Sequence, residues 1–319
     1  MVRFILRRLV GMVAVLFTTS LIVFLIFNVI PNSPPAQRLA GKNATPTLVK
    51  SIEEEWGFDE SLPVQYATMM KQVFTGELIS YNTHLPVNEQ IEEGIPATFS
   101  LSIGAALIWL CLGVLLGYLS AINAGAWLDR LLTGASIVGI SIPVFLLGPV
   151  LIYILADKLQ VLPNGGYVAL SEDPWEWLTH LILPWFTIAV LSIGFYSRVL
   201  RASMLDAMGE DYVRTARAKG LSEHRVMTRH VLRNSLIPIV TLFGLDFGAT
   251  IAGTAIITET IFGIQGVGYY AAQALTNEDL PPIIGVTLYG AFFVVLVNAL
   301  VDVAYAYLDP RVRLGQEAR

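Results

Sequence analysis

The chain alternates between long apolar blocks and shorter polar segments. Each of six blocks holds at most one charged residue and is close to the length of about 20 residues at which an α-helix crosses a bilayer. A soluble core would instead show short periodic stretches of apolar residues. We therefore predict an all-α integral membrane protein with six transmembrane helices. They lie at 9–30, 99–122, 131–156, 181–197, 236–257 and 283–308.

The composition supports a membrane protein. Hydrophobic residues make up 55% of the 319 residues and charged residues only 14%, whereas soluble domains carry about 25% charged residues. The single cysteine, Cys111, lies in the second block, where we expect it to be a small buried packing residue. We predict neither a metal site nor a nucleic-acid partner for this chain.

The basic residues are distributed unevenly between the two sides of the membrane. Fifteen of the twenty Lys and Arg residues lie in the N-terminus, in 123–130, in 198–235 and in the tail. The other five lie in the alternate segments. Because short cytoplasmic loops carry an excess of Lys and Arg, this distribution predicts that both termini are cytoplasmic.

The spans and the charges divide the chain into four parts. Residues 1–30 contain the cytoplasmic start and the first transmembrane helix, and residues 31–98 form an external helical segment. Residues 99–308 form a core of five helices, which includes a cytoplasmic loop at 203–233. Residues 309–319 are a cytoplasmic tail.

The external segment contains two amphipathic helix patterns. The first begins at Thr45, which precedes a proline at the first helical position, and ends at Gly57. The second begins near Pro63 and ends at Gly76. Two interpretations remain open. These helices either shield the ends of the membrane helices or dock a protein that delivers substrate.

The most distinctive polar segment is Gly209-Glu-Asp-Tyr-Val-Arg-Thr-Ala-Arg-Ala-Lys-Gly220. Asp211 is a suitable N-cap, Tyr212 to Lys219 fit about two helical turns, and Gly220 suits the left-handed position that follows. A helix of about 12 Å is too short to be stable alone in water, so we expect it to pack against a partner surface.

A second helix is expected after this segment. Ser222 would cap it, and it would run towards the fifth block and break near Pro238. The short helix and its neighbours would then form a lever that passes motion from a cytoplasmic machine into the membrane. The alternative is a solvated basic loop with no such role.

This segment resembles the cytoplasmic loop of binding-protein-dependent ABC importer permeases, in particular the oligopeptide, dipeptide and nickel group. Ala216, Gly220 and Leu232 match the general signature of these permeases. The version found in peptide permeases is closer, from Asp211 through Leu221. Further similar blocks occur in order along the chain: Arg3-Phe-Ile-Leu-Arg-Arg-Leu9, Leu62-Pro-Val-Gln-Tyr66, Thr98-Phe-Ser-Leu101, Ser141-Ile-Pro-Val-Phe145, Glu259-Thr-Ile-Phe262, Gly266-Val-Gly268 and Leu308-Asp-Pro-Arg-Val-Arg313.

The resemblance implies a type I ABC importer-like permease core in a bacterial or archaeal plasma membrane. It also implies four kinds of partner: a second similar permease, two cytoplasmic ATPase subunits that hold ATP and Mg, an external solute-binding protein, and membrane lipid. This chain would form half of the pathway for di- and oligopeptides. The helix that contacts an ATPase would comprise Asp211, Tyr212, Arg214, Thr215, Ala216, Arg217, Ala218, Lys219, Gly220 and Leu221.

The sequence itself contains no ATP-binding motif. A phosphate-binding loop ends in Gly-Lys-Ser/Thr, and the single Gly-Lys pair of the chain, at Gly41, is followed by Asn43. We therefore expect that the chain is not an enzyme, and that any ATP-derived energy comes from another subunit.

Two polar residues within the blocks are candidates for function. Asp246 lies near the centre of the fifth block, where a carboxylate is costly unless it faces protein or water. We predict that Asp246 and Asn298 face the translocation path or a subunit interface. A structural partnership of Asp246 with another helix is the simpler alternative. An ion-coupled secondary transporter that uses Asp246 as its coupling carboxylate is the main functional alternative.

Overall fold

A computed structural model describes residues 2–28, 35–40 and 45–308 of the chain. These residues are helical apart from turns and loops, and their one β contact is an isolated bridge between Ile79 and Pro86.

The described residues form fourteen α-helices and three π-helical turns. The α-helices are α1 (Val2–Asn28), α2 (Pro35–Ala40), α3 (Pro46–Trp56), α4 (Leu62–Thr75), α5 (Val87–Ile122), α6 (Trp127–Ser141), α7 (Val144–Leu151), α8 (Pro174–Met208), α9 (Asp211–Ala218), α10 (Glu223–Arg225), α11 (Arg233–Ala249), α12 (Ile256–Phe262), α13 (Val267–Thr276) and α14 (Leu280–Leu308). The π-helical turns are Ile152–Lys158, Val226–Leu232 and Thr250–Thr254. The predicted tail, 309–319, lies outside the described residues.

Five helical segments are long and apolar enough to cross a membrane, and they coincide with five of the six predicted blocks. They are Val10–Phe27, Val87–Ile122, Pro174–Met208, Glu223–Thr254 and Leu280–Val301. The remaining block consists of Trp127–Ser141 and Val144–Lys158, which meet at an angle of 99°. The described chain therefore has five candidate spans, or six if the bent pair is one span.

The bend in the third block follows from Pro143. Proline has no N–H and disfavours helical geometry in the residue before it. Ile142 is accordingly extended, with φ −86° and ψ 118°, and α7 begins directly after the proline. The block predicted at 131–156 is therefore two helices joined at an angle.

The helices α5 and α8 are longer than the apolar blocks that predicted them. They contain 36 and 35 residues, which correspond to about 54 Å at a rise of 1.5 Å per residue. The hydrocarbon core of a bilayer is about 30 Å thick. Both helices therefore extend well beyond the hydrocarbon core. The polar segments at their ends belong to the same continuous helices as the apolar blocks.

Small residues allow α5 and α8 to pack closely. A Cβ atom at Gly113 would lie 2.7 Å from the Cβ atom of Tyr196, and one at Gly117 would lie 2.7 Å from the backbone oxygen of Ser197. Side chains at either position would push the helices apart, so these glycines fix the separation of the two longest helices.

The two helices predicted within 31–98 are present as α3 and α4 and have the predicted ends. The side chain of Thr45 accepts a hydrogen bond from the backbone N–H of Leu48, and Gly57 and Gly76 adopt left-handed conformations after the last turns. Glycine is favoured there because it has no Cβ atom to clash in that conformation. The local sequence signals for both helices are confirmed.

Two expectations about the membrane helices are wrong. The helix of the fifth span does not break near Pro238, because α11 continues through it. A π-helical turn at Val226–Leu232 directly precedes α11, and such local adjustments accommodate proline in membrane helices. Cys111 is exposed rather than buried in the chain, because it lies on α5 about 200° around the helix from Gly113, which faces α8.

Candidate functional site

The short basic helix predicted at 211–219 is present as α9, Asp211–Ala218. Gly220 follows it in the left-handed conformation, with φ 76°, as predicted. The N-cap is Glu210 rather than Asp211, which is already the first helical residue, and neither Glu210 nor Ser222 makes a side-chain capping hydrogen bond.

One side of α9 packs against its own chain. Val213 and Ala216 are buried, and the helix contacts the π-helical turn at Val226–Leu232, whose Val226 and Val231 are also buried. The expected partner surface is therefore supplied in part by the chain itself. The opposite side of α9 remains exposed: Asp211, Tyr212, Arg214, Thr215, Arg217, Ala218 and Lys219 are exposed, as is Gly220, and Leu221 is half-buried.

Ion pairs order part of this exposed surface. Arg214 lies 3.5 Å from Asp211, and the guanidinium of Arg217 donates two hydrogen bonds to the carboxylate of Glu223, at 2.7 Å and 3.1 Å. Lys219 has no ion-pair partner among the described residues. Its charge is therefore available to another chain, whereas that of Arg217 holds α9 to α10.

Asp246 lies on α11 and accepts a hydrogen bond from the hydroxyl of Tyr196 on α8, with 2.8 Å between Oδ2 and the phenol oxygen. The aspartate is half-buried, whereas Tyr196 is fully buried. The predicted structural partnership with another helix therefore exists. The part of Asp246 that remains exposed in the single chain leaves room for a second role.

Asn298 is not brought together with Asp246. It lies on α14, on the same side as Val294 and Val301, which pack against Gly248 and Gly244 of α11. Its side chain makes no hydrogen bond to the part of the chain that the structure describes. Asp246 is two residues from each glycine and so points to another side of α11.

A polar cluster that the sequence did not predict surrounds Asp129, which is buried at the start of α6. Arg201 of α8 donates two hydrogen bonds to its carboxylate, at 2.7 Å and 2.8 Å. Ser120 of α5 and the backbone N–H of Gly125 also donate to it. The cluster joins three membrane helices at one carboxylate. Both charged residues were visible in the sequence, but no spacing signal pairs them across 72 residues.

A second unpredicted cluster surrounds Glu259 of α12, which is fully buried. Its carboxylate accepts hydrogen bonds from the hydroxyl of Thr98 at 2.8 Å and from the backbone N–H of Tyr269 at 2.7 Å. The Thr98 hydroxyl in turn accepts one from the N–H of Val267 at 2.8 Å. Burial raises the pKa of the Glu259 carboxyl to about 7, against the opposing effect of these hydrogen bonds.

This cluster unites three sequence blocks that were noted only for their resemblance to permeases. They contain Thr98, Glu259 and Gly266 with Gly268. A Cβ atom at Gly266 would lie 2.5 Å from both the Glu259 carboxylate and the Thr98 hydroxyl, so only glycine fits. The carboxylate therefore caps the N-terminus of α13, where free N–H groups favour a negative charge.

The other end of α13 is also held by a carboxylate. Asp279, which is buried, accepts hydrogen bonds from the hydroxyl of Ser80 at 2.6 Å and from the N–H groups of Tyr81 at 3.1 Å and Asn82 at 3.3 Å. The turn at residues 80–82 is thus tied to the loop before α14. Among the described residues, no group of three or more metal-ligating side chains is present.

The five or six apolar candidate spans of the described chain define a multi-pass membrane protein, and the exposed basic helix α9 lies between two of them. The chain belongs to the family of binding-protein-dependent transport system inner membrane components. Residues 113–314 match this family, and residues 1–102 match the family of its N-terminal region. Members of this family are membrane components of transport systems, so family membership does not favour the secondary transporter and gives no indication of catalysis.

Similar proteins cover nearly the whole chain. A probable peptide ABC transporter permease of Sinorhizobium fredii is 39% identical over 97% of this chain and 99% of its own length. A probable D,D-dipeptide transport system permease of Escherichia coli is 37% identical over 97% of each chain. A dipeptide transport system permease of Bacillus subtilis is 32% identical over 99% of this chain and its full length.

Proposed function

We propose that the chain is a permease subunit of an ATP-driven peptide importer and forms half of its translocation pathway. A second permease, two ATPase subunits that bind ATP and Mg, and an external solute-binding protein complete the transporter. The observation that carries the ATP-coupled role is α9, a basic helix packed on one side against its own chain and exposed on the other. The peptide substrate is supported by the names of the full-length relatives.

The connections of α9 suit the transfer of force. Only Gly209 and Glu210 separate it from α8, and the helical stretch at Glu223–Thr254 begins shortly after Gly220. A displacement of α9 by an ATPase would therefore act on two membrane helices together. We assign the ATPase contact to the exposed side of α9, in particular Tyr212, Arg214 and Lys219.

In the proposed topology, the bent pair α6–α7 crosses the membrane as one span, and both termini are cytoplasmic. Six spans then place 198–235 on the same side as the termini, in agreement with its eight basic residues. This side is the cytoplasmic side of a bacterial or archaeal inner membrane, where the ATPases bind.

The external helices α3 and α4 are proposed to dock the solute-binding protein. The helix α3 has no buried residue, and exposed acidic side chains lie on it and on the loop that follows, including Glu54, Glu55, Asp59 and Glu60. A partner with a basic surface would complement them. Substitution of Glu54 and Glu55 by Lys should therefore weaken the stimulation of ATP hydrolysis by the binding protein. The difference between the variant and the unmodified protein should become smaller at high salt, because salt screens the interactions of exposed charges.

Reconstitution tests the proposal. The chain is co-expressed with a second permease and the ATPases encoded by neighbouring genes, and the complex is placed in proteoliposomes with loaded binding protein on the external side. We expect peptide uptake that requires ATP, and neither ATP hydrolysis nor uptake by this chain alone. Uptake driven by an ion gradient in liposomes that hold only this chain would contradict the proposal.

A further inference from the structure

The environment of Asp246 indicates what it binds. The residue lies on the apolar helix Glu223–Thr254, about 12 Å along the helix from Thr254. A carboxylate at such a depth is costly in lipid and faces the protein interior or a water-filled cavity. Its exposed part must therefore face either another subunit or the translocation path.

The neighbouring helices show which side of Asp246 is open. Gly244 and Gly248 place α14 on one side of α11, and Tyr196 places α8 on another. Tyr196 is held firmly, because it is fully buried and packs against Gly113 of α5. The exposed side of the carboxylate therefore faces away from both helices.

Only half of the hydrogen-bonding capacity of this carboxylate is used within the chain. Oδ2 accepts the hydrogen bond from Tyr196, whereas Oδ1 has no hydrogen-bond partner among the described residues. No Lys, Arg or His of the described chain lies within ion-pair distance of it. Since the phenol supplies a donor and no positive charge, the group that suits Oδ1 is a cationic donor.

A buried aromatic residue borders the same site. The indole of Trp109 is buried, its ring lies 6.5 Å from that of Tyr196, and its N–H interacts with the Tyr196 hydroxyl. This hydroxyl therefore lies between the indole and the Asp246 carboxylate, to which it donates. The acceptor left open at the site is Oδ1 of Asp246.

We propose that Asp246 binds the ammonium group of a peptide as it crosses the membrane, with Tyr196 as the residue that positions the carboxylate. This inference rests on the proposed function as a peptide permease. A primary ammonium offers three donors and a positive charge, and a fixed carboxylate lowers the cost of carrying that charge through the apolar part of the pathway.

Uptake of two related peptides tests this inference in the reconstituted complex. Trialanine carries a free ammonium group, and N-acetyl trialanine does not. We expect Asp246→Asn to lower the maximal uptake of trialanine about tenfold, because one charged hydrogen bond is lost. The maximal uptake of N-acetyl trialanine should stay within about twofold of that of the unmodified complex. The substitution keeps the size of the side chain and removes its charge.

The matched control is Thr250→Val, one turn further along α11. The Thr250 hydroxyl donates to the backbone oxygen of Asp246 and lies outside the proposed site, so this variant should keep the ratio of the two uptake rates unchanged. Equal losses for both peptides in Asp246→Asn, or no loss for either, would overturn the inference. Absence of ATP-driven uptake by the unmodified complex would instead contradict the proposed function.

A second measurement does not depend on folding of the variant. A hydrophobic carbodiimide is added to the unmodified complex during transport of labelled trialanine, and cross-linked residues are identified by mass spectrometry. We expect an amide bond between the peptide nitrogen and the Asp246 carboxyl, and none with N-acetyl trialanine. A transporting complex that gives no label at Asp246 would also overturn the inference.

Discussion

The hydroxyl of Thr98 links Glu259 to the first N–H group of α13, by donating to the carboxylate at 2.8 Å and accepting from Val267 at 2.8 Å. Thr98 and Glu259 are 161 residues apart and are both buried. Because Thr98 lies on the long helix α5, the contact fixes α12 and α13 to the permease core. With Asp279 at the other end of α13, two carboxylate contacts hold this helix in place.

Thr98→Val should destabilise the protein by about 2 to 4 kcal/mol. The variant keeps the shape of the side chain but leaves the Val267 N–H without a partner and removes one of the hydrogen bonds of the Glu259 carboxylate, which keeps that of Tyr269. Each loss at a buried group costs about 1–3 kcal/mol. Thermal unfolding in detergent or nanodiscs measures the effect. Thr98→Ser retains the hydroxyl and should behave like the unmodified protein, so equal losses in both variants would show that the methyl group matters instead.

Glu259 should make stability depend on pH. Its pKa is raised from 4.5 to about 7, so the folded state favours the protonated carboxyl. The contribution of the protonated Glu259 to the free energy of unfolding is fully present below pH 4.5 and is lost as the pH rises through 7. A shift of this size corresponds to about 3 kcal/mol at most.

Glu259→Gln is the control for this prediction, since it is neutral at every pH. The unfolding temperature of the unmodified protein relative to that of Glu259→Gln should fall between pH 5 and pH 8. A constant difference over this range would show that Glu259 does not titrate there.

Substitutions on α9 should separate ATP hydrolysis from uptake. Lys219→Glu reverses a charge that has no ion-pair partner among the described residues, so we expect loss of coupling with normal membrane insertion. Gly220→Val should have a similar effect through strain, because left-handed geometry costs about 1–2 kcal/mol for a residue with a Cβ atom. Hydrolysis and uptake are measured in the same proteoliposomes.

Controls for α9 follow from its ion pair. Arg217→Glu opposes Glu223, and the double variant Arg217→Glu with Glu223→Arg should restore the pair and part of the coupling. Wild-type uptake in both Lys219→Glu and Gly220→Val would refute the role of α9.

Asp129 and Arg201 should depend on each other. Asp129→Ala leaves the guanidinium of Arg201 partly buried without its carboxylate, which costs about 3 kcal/mol or more for a broken buried pair. Arg201→Lys should also be damaging, because lysine does not reproduce the two parallel hydrogen bonds. Yield and unfolding temperature report the loss. If the destabilisation of the double variant Asp129→Ala, Arg201→Met equals the sum of the effects of the two single substitutions, the pair is not coupled.

Local signals predicted much of the secondary structure. The caps at Thr45 and Gly57 and the left-handed Gly220 depend on neighbouring residues alone, so the sequence contains the information. Pro238 shows the limit of this reasoning. Its local preference is to break a helix, but the π-helical turn before it and packing around it maintain the span.

The sequence by itself determined that the chain enters a membrane, roughly where its spans lie, and which short basic helix is exposed between two of them. These features depend on apolar length, charge and capping residues that are adjacent along the chain. Only the tertiary structure decided that Tyr196 reaches Asp246, that Arg201 reaches Asp129, and that Thr98 and Glu259 hold α13. Such contacts join residues that are far apart along the chain. The packing of the helices decides which side chains meet, and no local sequence pattern encodes that packing.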